Sequence, residues 1–148
     1  MPTSSRFAVA VHVLTALAVS GNRPLRSQDL AYSANTGAVV IRGLMSRLVD
    51  VGITRSQMGA GGGALLAKSP QDIRLLDVYL AVEDPELFSL HRTQPCDNCA
   101  VGGNILEAIN PILNRARNAL ENELALVSIA DTAAEVARLG KFSIPLTW

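Results

Sequence analysis

Two cysteines, Cys96 and Cys99, stand three residues apart in a stretch that also holds His91 and Asp97. A Cys-x-x-Cys pair can lower a thiol pKa, close a reversible disulfide, or supply two ligands to a metal. Three readings stand side by side: part of an iron–sulfur site, a thiol switch, and a loop whose cysteines only pack. A cluster is usually held by four cysteines, and a structural zinc needs four ligands at matching spacing. Two cysteines fall short of either, so no metal and no cofactor is expected, with a cluster the less favoured reading. Gly59-x-Gly61-x-x-Ala64 spells a dinucleotide fingerprint, but that motif needs a helix directly after the turn, and Pro70 follows too soon. His12 lies inside an apolar run and reads as a partly buried histidine rather than a base. No Ser/His/Asp set or carboxylate pair stands out. No catalytic residue is named, and an enzyme is not expected.

The remaining chemistry is charge. The net charge of zero hides a division: residues 1–82 carry eight basic and four acidic side chains, residues 83–148 five basic and nine acidic. The halves are thus +4 and −4. Arg26, Arg42, Arg47 and Arg55 belong to the basic half, and their convergence on one face would suit a polyanion. With only 4% aromatic residues the chain is poor in stacking platforms for unpaired bases, whereas 49% hydrophobic residues can build a core.

The elements that must position these side chains follow from periodicity. Apolar residues crowd Arg6–Val19, which predicts a mostly buried helix, and Gly21 ends it. That run is shorter than the roughly 20 residues of a membrane span. Ser20-Gly21-Asn22 reads as a helix end rather than a cleavage site, so a cytoplasmic protein with no membrane partner is expected. Ser27 is a candidate N-cap for a short helix, Ser27–Ser33. After the turn Asn35-Thr36-Gly37, with Thr36 as the next candidate cap, Val40, Ile41, Leu44, Leu48 and Val51 mark one face of a helix over Ala38–Val51. Helix, short turn and helix is the form that offers its second helix to a DNA major groove. The offered face would carry Thr36, Val39, Arg42, Gly43, Ser46 and Arg47. Two short strands, Ile53–Gln57 and Ala64–Lys68, flank Gly59–Gly63 as a hairpin wing. A helix over Ile73–Val82 and a loop over 83–103 follow. From Asn104 the helical stripe Ile105, Ile109, Ile112, Ala116, Leu120, Leu124, Val127 returns, with nothing in so small a chain left to cover it. Pro111 either kinks this helix or, with Asn110 as cap, starts a new one. Ser128–Leu139 is a last amphipathic helix.

Four segments carry a family likeness. Gly59-Ala-Gly-Gly-Gly-Ala-Leu-Leu-Ala67 and Ile73-Arg-Leu-Leu-Asp-Val-Tyr-Leu-Ala-Val-Glu83 resemble the wing and following helix of the Rrf-type winged-helix transcriptional regulators. Ile41-Arg-Gly-Leu-Met-Ser-Arg-Leu-Val-Asp-Val-Gly52 is similar to their recognition helix. Cys99-Ala-Val-Gly-Gly-Asn-Ile105 resembles the start of the dimer helix in a subgroup. The resemblance implies a mainly α fold with a small β-hairpin: a winged helix-turn-helix domain plus a long dimerisation helix. It divides the chain into a DNA-binding domain at 1–83, a cysteine-bearing sensor loop at 84–103, and the dimerisation and C-terminal helices at 104–148. It further implies a homodimeric repressor that reads an inverted repeat in double-stranded DNA. Carried over by position, Ser27, Gln28, Thr36, Val39 and Arg42 become the expected contacts, with Arg55, Gly61, Gly62 and Gly63 serving the wing. Arg42 suits a guanine and Arg47 a phosphate. Cluster-binding members use three cysteines in the sensor loop, where this chain has only Cys96 and Cys99, so the redox and the packing readings of that pair both stay open. Ile105, Ile109, Ile112, Ala116, Leu120 and Leu124 would form the dimer face. The alternative is a winged helix that docks a protein partner and never meets DNA, a reading that scattered positions of Arg26, Arg42, Arg47 and Arg55 would favour.

Overall fold

The computed structural model describes residues 4–84 and 86–147. Six helices and one hairpin follow in the order α1 (Arg6–Val19), α2 (Ser27–Ala34), α3 (Ala38–Asp50), β1 (Thr54–Gln57), β2 (Gly63–Leu66), α4 (Leu75–Val82), α5 (Ile105–Ala125) and α6 (Ile129–Gly140). The mainly α fold with one small hairpin is as the sequence leads one to expect.

α1 is apolar on most of its circumference because it is the centre of the molecule. Ala10, Val13, Leu14 and Leu17 are fully buried, and α1 packs against α2, α4, α6 and β2. α3 contributes Ile41, Leu44, Met45 and Leu48 to the same core, at the spacing of one helical face. The hairpin pairs Thr54 with Leu66 and Gln57 with Gly63. Leu25, in the connector before α2, adds a separate bridge to β2: its N–H donates to the Ala64 carbonyl at 3.1 Å and the Ala64 N–H returns at 2.8 Å. That contact explains Gly63, since a Cβ there would meet the Leu25 carbonyl oxygen at 2.5 Å. The wing is therefore anchored to the connector, not free.

α6 returns to this core although it follows α5 in the chain. Ile129 and Ala133 are buried against α1, and the Thr132 and Thr15 hydroxyls meet at 2.9 Å. The Ile129 N–H donates to the Ile73 carbonyl and the Leu75 N–H to that of Val127. Ile73 is thus extended backbone paired with the α5–α6 corner, and α4 begins later than its apolar pattern suggests. α6 is capped as a box: Ser128 Oγ accepts the Asp131 N–H at 3.1 Å and the Asp131 carboxylate accepts the Ser128 N–H at 2.8 Å. The Ser128 peptide and hydroxyl hold the Asp131 carboxyl below its ordinary pKa. A depressed folded-state pKa stabilises above the unfolded value and is lost as pH falls through the folded one. Ser128→Ala is expected to lower stability by about 1 kcal/mol. Thermal melts of the variant should also lose less on acidification below the carboxylate range than those of the parent.

α5 differs from every other helix. None of its 21 residues is buried, and among the described elements its principal neighbour is α4. It runs through Pro111 as one helix, so the restart at Asn110 does not occur. At 1.5 Å per residue such a helix is about 31 Å long. No helix among the described residues is long and apolar enough to cross a membrane.

Candidate nucleic-acid interface

The face of α3 opposite its core residues is open. Val39 is 74% exposed, and Arg42, Gly43, Ser46 and Asp50 follow it at helical spacing, all exposed. Gly43 is unusual among them. Glycine in a helix interior costs roughly 0.5–1 kcal/mol relative to alanine, and a Cβ at Gly43 would meet nothing within 4 Å. Packing within the chain gives no reason for it, whereas close approach of a partner's backbone would. Gly43→Ala is accordingly expected to raise stability by about 0.5–1 kcal/mol while weakening DNA binding, a pair of opposite signs that melting curves and a binding titration can read.

The four arginines do not form one cluster. Arg42 and Arg47, five residues apart, are separated by about 140° around α3 at 3.6 residues per turn. Arg47 turns toward α4, where Nη1 donates to the Val82 carbonyl oxygen at 3.3 Å. Its remaining donors are available to a phosphate, but it does not share the face of Val39 and Arg42. Arg26 sits elsewhere again, at the start of α2. With Asp29, Tyr32, Ser33, Gly61 and Gly62 it lines a cleft of about 600 Å³ between α2 and the wing tip. The structure thus joins Arg26 to the glycine tip across a gap in sequence. Arg55 is exposed on β1, opposite Leu65 in the ladder.

Several local expectations are corrected. Neither Ser27 nor Thr36 caps its helix through its side-chain oxygen. Arg26 occupies the cap position of α2, its N–H donating to the Asp29 carboxylate at 3.3 Å, and Ser27 is the first helical residue. Gly37, not Thr36, precedes α3 with extended backbone. Thr36 and Ser27 are half-buried, while Gln28 is exposed. His12 is exposed as well, with Nε2 and the Ser33 hydroxyl 2.8 Å apart. Tyr32 escaped the sequence reading. It is 91% exposed at the rim of the α2–wing cleft, and its place just past the buried pair Leu30-Ala31 is the signal that could have found it.

The residues assigned to a dimer face lie along α5 as their spacing requires. Ile105, Ile109, Leu120 and Leu124 are half-covered; Ile112 is 54% exposed and Ala116 is exposed. Beside them, the Arg117 Nε is shut off from solvent with no hydrogen-bond partner.

Residues 3–135 match a protein family described as Rrf2, iron-dependent transcriptional regulator. Among curated proteins, the chain is 40% identical over 129 residues to YwnA of Bacillus subtilis (strain 168), assigned by name to the helix-turn-helix transcriptional regulators. That alignment covers 86% of this chain and 94% of YwnA. A solved structure described as a DNA binding protein is similar at 37% identity and TM-score 0.69, over 86% of this chain and 98% of that one. IscR of T. potens shares the fold at TM-score 0.72 and 19% identity, covering 94% of this chain and 90% of its own. Iron dependence requires ligands, and here the donor set does not fit. Among the described residues no group of three or more His, Cys, Asp or Glu side chains is placed to hold a metal ion. The sequence supplies two thiols, where a cluster is usually held by four.

Proposed function

The chain belongs to the Rrf2 family of transcriptional regulators, and we propose that it acts as a homodimeric repressor that places α3 in the major groove of double-stranded DNA. It is a regulator and not an enzyme. The observation that carries the DNA reading is the open face of α3, with Val39, Arg42, Gly43 and Ser46 set on a helix whose other face is core. Arg42 reads a guanine through its two parallel donors, since O6 and N7 present paired acceptors in the major groove. Val39 offers the apolar contact that a thymine methyl accepts. Thr36, Ser27 and Gln28, at the entry of the helix pair, hold the adjacent backbone. Arg26 with Gly61 and Gly62 bounds the cleft beside α2, and Arg55 with Gly63 completes the wing. These groups orient the domain on phosphates without reading sequence. Arg47 adds a phosphate contact from the side of α3 that faces α4.

The homodimer rests on α5. A helix with no buried residue and an apolar stripe is incomplete alone, and a second copy supplies its complement by two-fold symmetry. One head carries only a modest positive excess, so two heads acting together are part of the function. We assign the three parts accordingly: the DNA-reading head at 1–83, the Cys96–Cys99 loop at 84–103 as sensing element, and the dimerisation and C-terminal helices at 104–148, the last of which, α6, packs back on α1. We assign the protein to the cytoplasm, where it would meet DNA and where Cys96 and Cys99 would stay reduced.

Selection of bound duplexes from a random pool tests this reading. The expected product is an inverted repeat whose half-site centres lie about one helical turn, 34–36 Å, apart. Recovery of no common sequence would favour a docking module instead.

A further inference from the structure

The Cys96–Gly103 loop is built around one sulfur. Cys99 Sγ accepts the Gly102 N–H at 3.0 Å. That hydrogen bond is the foremost cause that lowers the Cys99 pKa from its ordinary value. Gly102 has no room for a side chain, because a Cβ there would collide with the Cys96 carbonyl oxygen. Gly102 thus packs on the Cys96 backbone while its N–H holds the Cys99 sulfur, which links the two cysteine residues through one glycine. Both are exposed and unbridged.

The same turn begins α5. The Gly103 N–H donates to the Cys99 carbonyl at 3.0 Å, the Ile105 N–H to that of Val101 at 2.9 Å, and Asn104 Nδ2 to that of Ala100 at 2.8 Å. Whatever alters the Cys99 sulfur therefore alters the lead-in to the dimer arm.

We propose that Cys99 is the attacking thiolate and Cys96 the resolving thiol of a metal-free hydroperoxide sensor, whose disulfide loosens the first turn of α5. Its regulatory half rests on the DNA-binding reading above. The Cys99 thiolate attacks the terminal oxygen of the hydroperoxide; the O–O bond breaks, and the departing alkoxide or hydroxide takes a proton and leaves as alcohol or water. Cys99 is then a sulfenic acid. The Cys96 sulfur attacks the Cys99 sulfur, the S–S bond forms, and the S–O bond breaks with release of water. Two thiols lose two electrons and the hydroperoxide gains them. A disulfide sulfur is a weaker acceptor than a thiolate, so the Gly102 N–H loses its partner and the turn its centre.

The test treats the reduced, full-length protein with hydrogen peroxide and maps thiols by mass spectrometry. The parent should lose 2 Da as a Cys96–Cys99 disulfide. Cys96→Ser should accumulate a dimedone-trapped sulfenic acid at Cys99, whereas Cys99→Ser should leave Cys96 at least about tenfold slower. Gly102→Ala should slow the Cys99 reaction without changing the fold of the head. Trapping at Cys96 in Cys99→Ser at the parent rate would overturn the assignment. Oxidised parent should bind promoter DNA differently from reduced parent, and the double serine variant should not respond. Disulfide formation with unchanged DNA affinity would overturn the switch. Failure of the reduced protein to bind DNA would instead count against the DNA reading, leaving the thiol chemistry standing.

Discussion

Replacing Ile112 and Leu120 together with aspartate is expected to convert the protein to a monomer and to cut its affinity for an inverted-repeat duplex by at least about 100-fold. Each side chain stands on the α5 stripe, and burying a large aliphatic group is worth roughly 1.5–3 kcal/mol. The two-fold repeats every contact, so two substitutions remove four apolar groups and bring four carboxylates together in their place. A monomer then binds a half-site with one weakly basic head. Light scattering reads the first effect and fluorescence anisotropy the second. The head should be untouched, because α5 contributes no buried residue to the core. Unchanged melting of the head alongside a lost dimer separates an interface effect from misfolding. A variant that stayed dimeric would move the interface off this stripe.

Arg42→Ala should have the next largest effect. A bidentate arginine–guanine pair contributes about 1–3 kcal/mol of discrimination, and a dimer uses it twice. Specific affinity should therefore fall by about 2–6 kcal/mol, at least about 30-fold, while binding to scrambled duplex changes little. Arg47→Ala should behave otherwise. Lying about 140° away around α3 and tied to the Val82 carbonyl, Arg47 should on removal weaken all sequences alike and reduce the salt dependence by about one phosphate per protomer. Identical behaviour of the two variants would contradict their separate roles.

The helices were legible because their apolar faces are. Periodicity marks α1 at both ends, and α3 to within a residue, since Ile41, Leu44 and Leu48 point to one core and Gly52 closes the helix. The bare stripe on α5 was legible for the same reason. What hydropathy does not carry is which polar group satisfies a helix start. Ser27 and Thr36 are good cap residues by type, yet the backbone enters one residue differently at each, and the side-chain acceptor at the start of α2 comes from Asp29. His12 was misplaced because an apolar neighbourhood in sequence includes the outward stripe of α1. The return of α6 onto α1 needs the Ile73–Ile129 pairing, a long-range contact that no local pattern announces. The joining of Arg26 to Gly61 and Gly62, and the Gly102 N–H held on the Cys99 sulfur, are likewise products of folding. The sequence names their residue types but not their meeting.

We propose that two α3 helices in one dimer read DNA. The most direct measurement is an anisotropy titration of the reduced protein against a duplex from its own promoter and a scrambled duplex, across a salt series. We expect one dimer per site, a clear preference for the promoter duplex, and an affinity that falls linearly in log–log form with salt as phosphates are neutralised. Equal, weak binding to both duplexes at every salt would contradict the account.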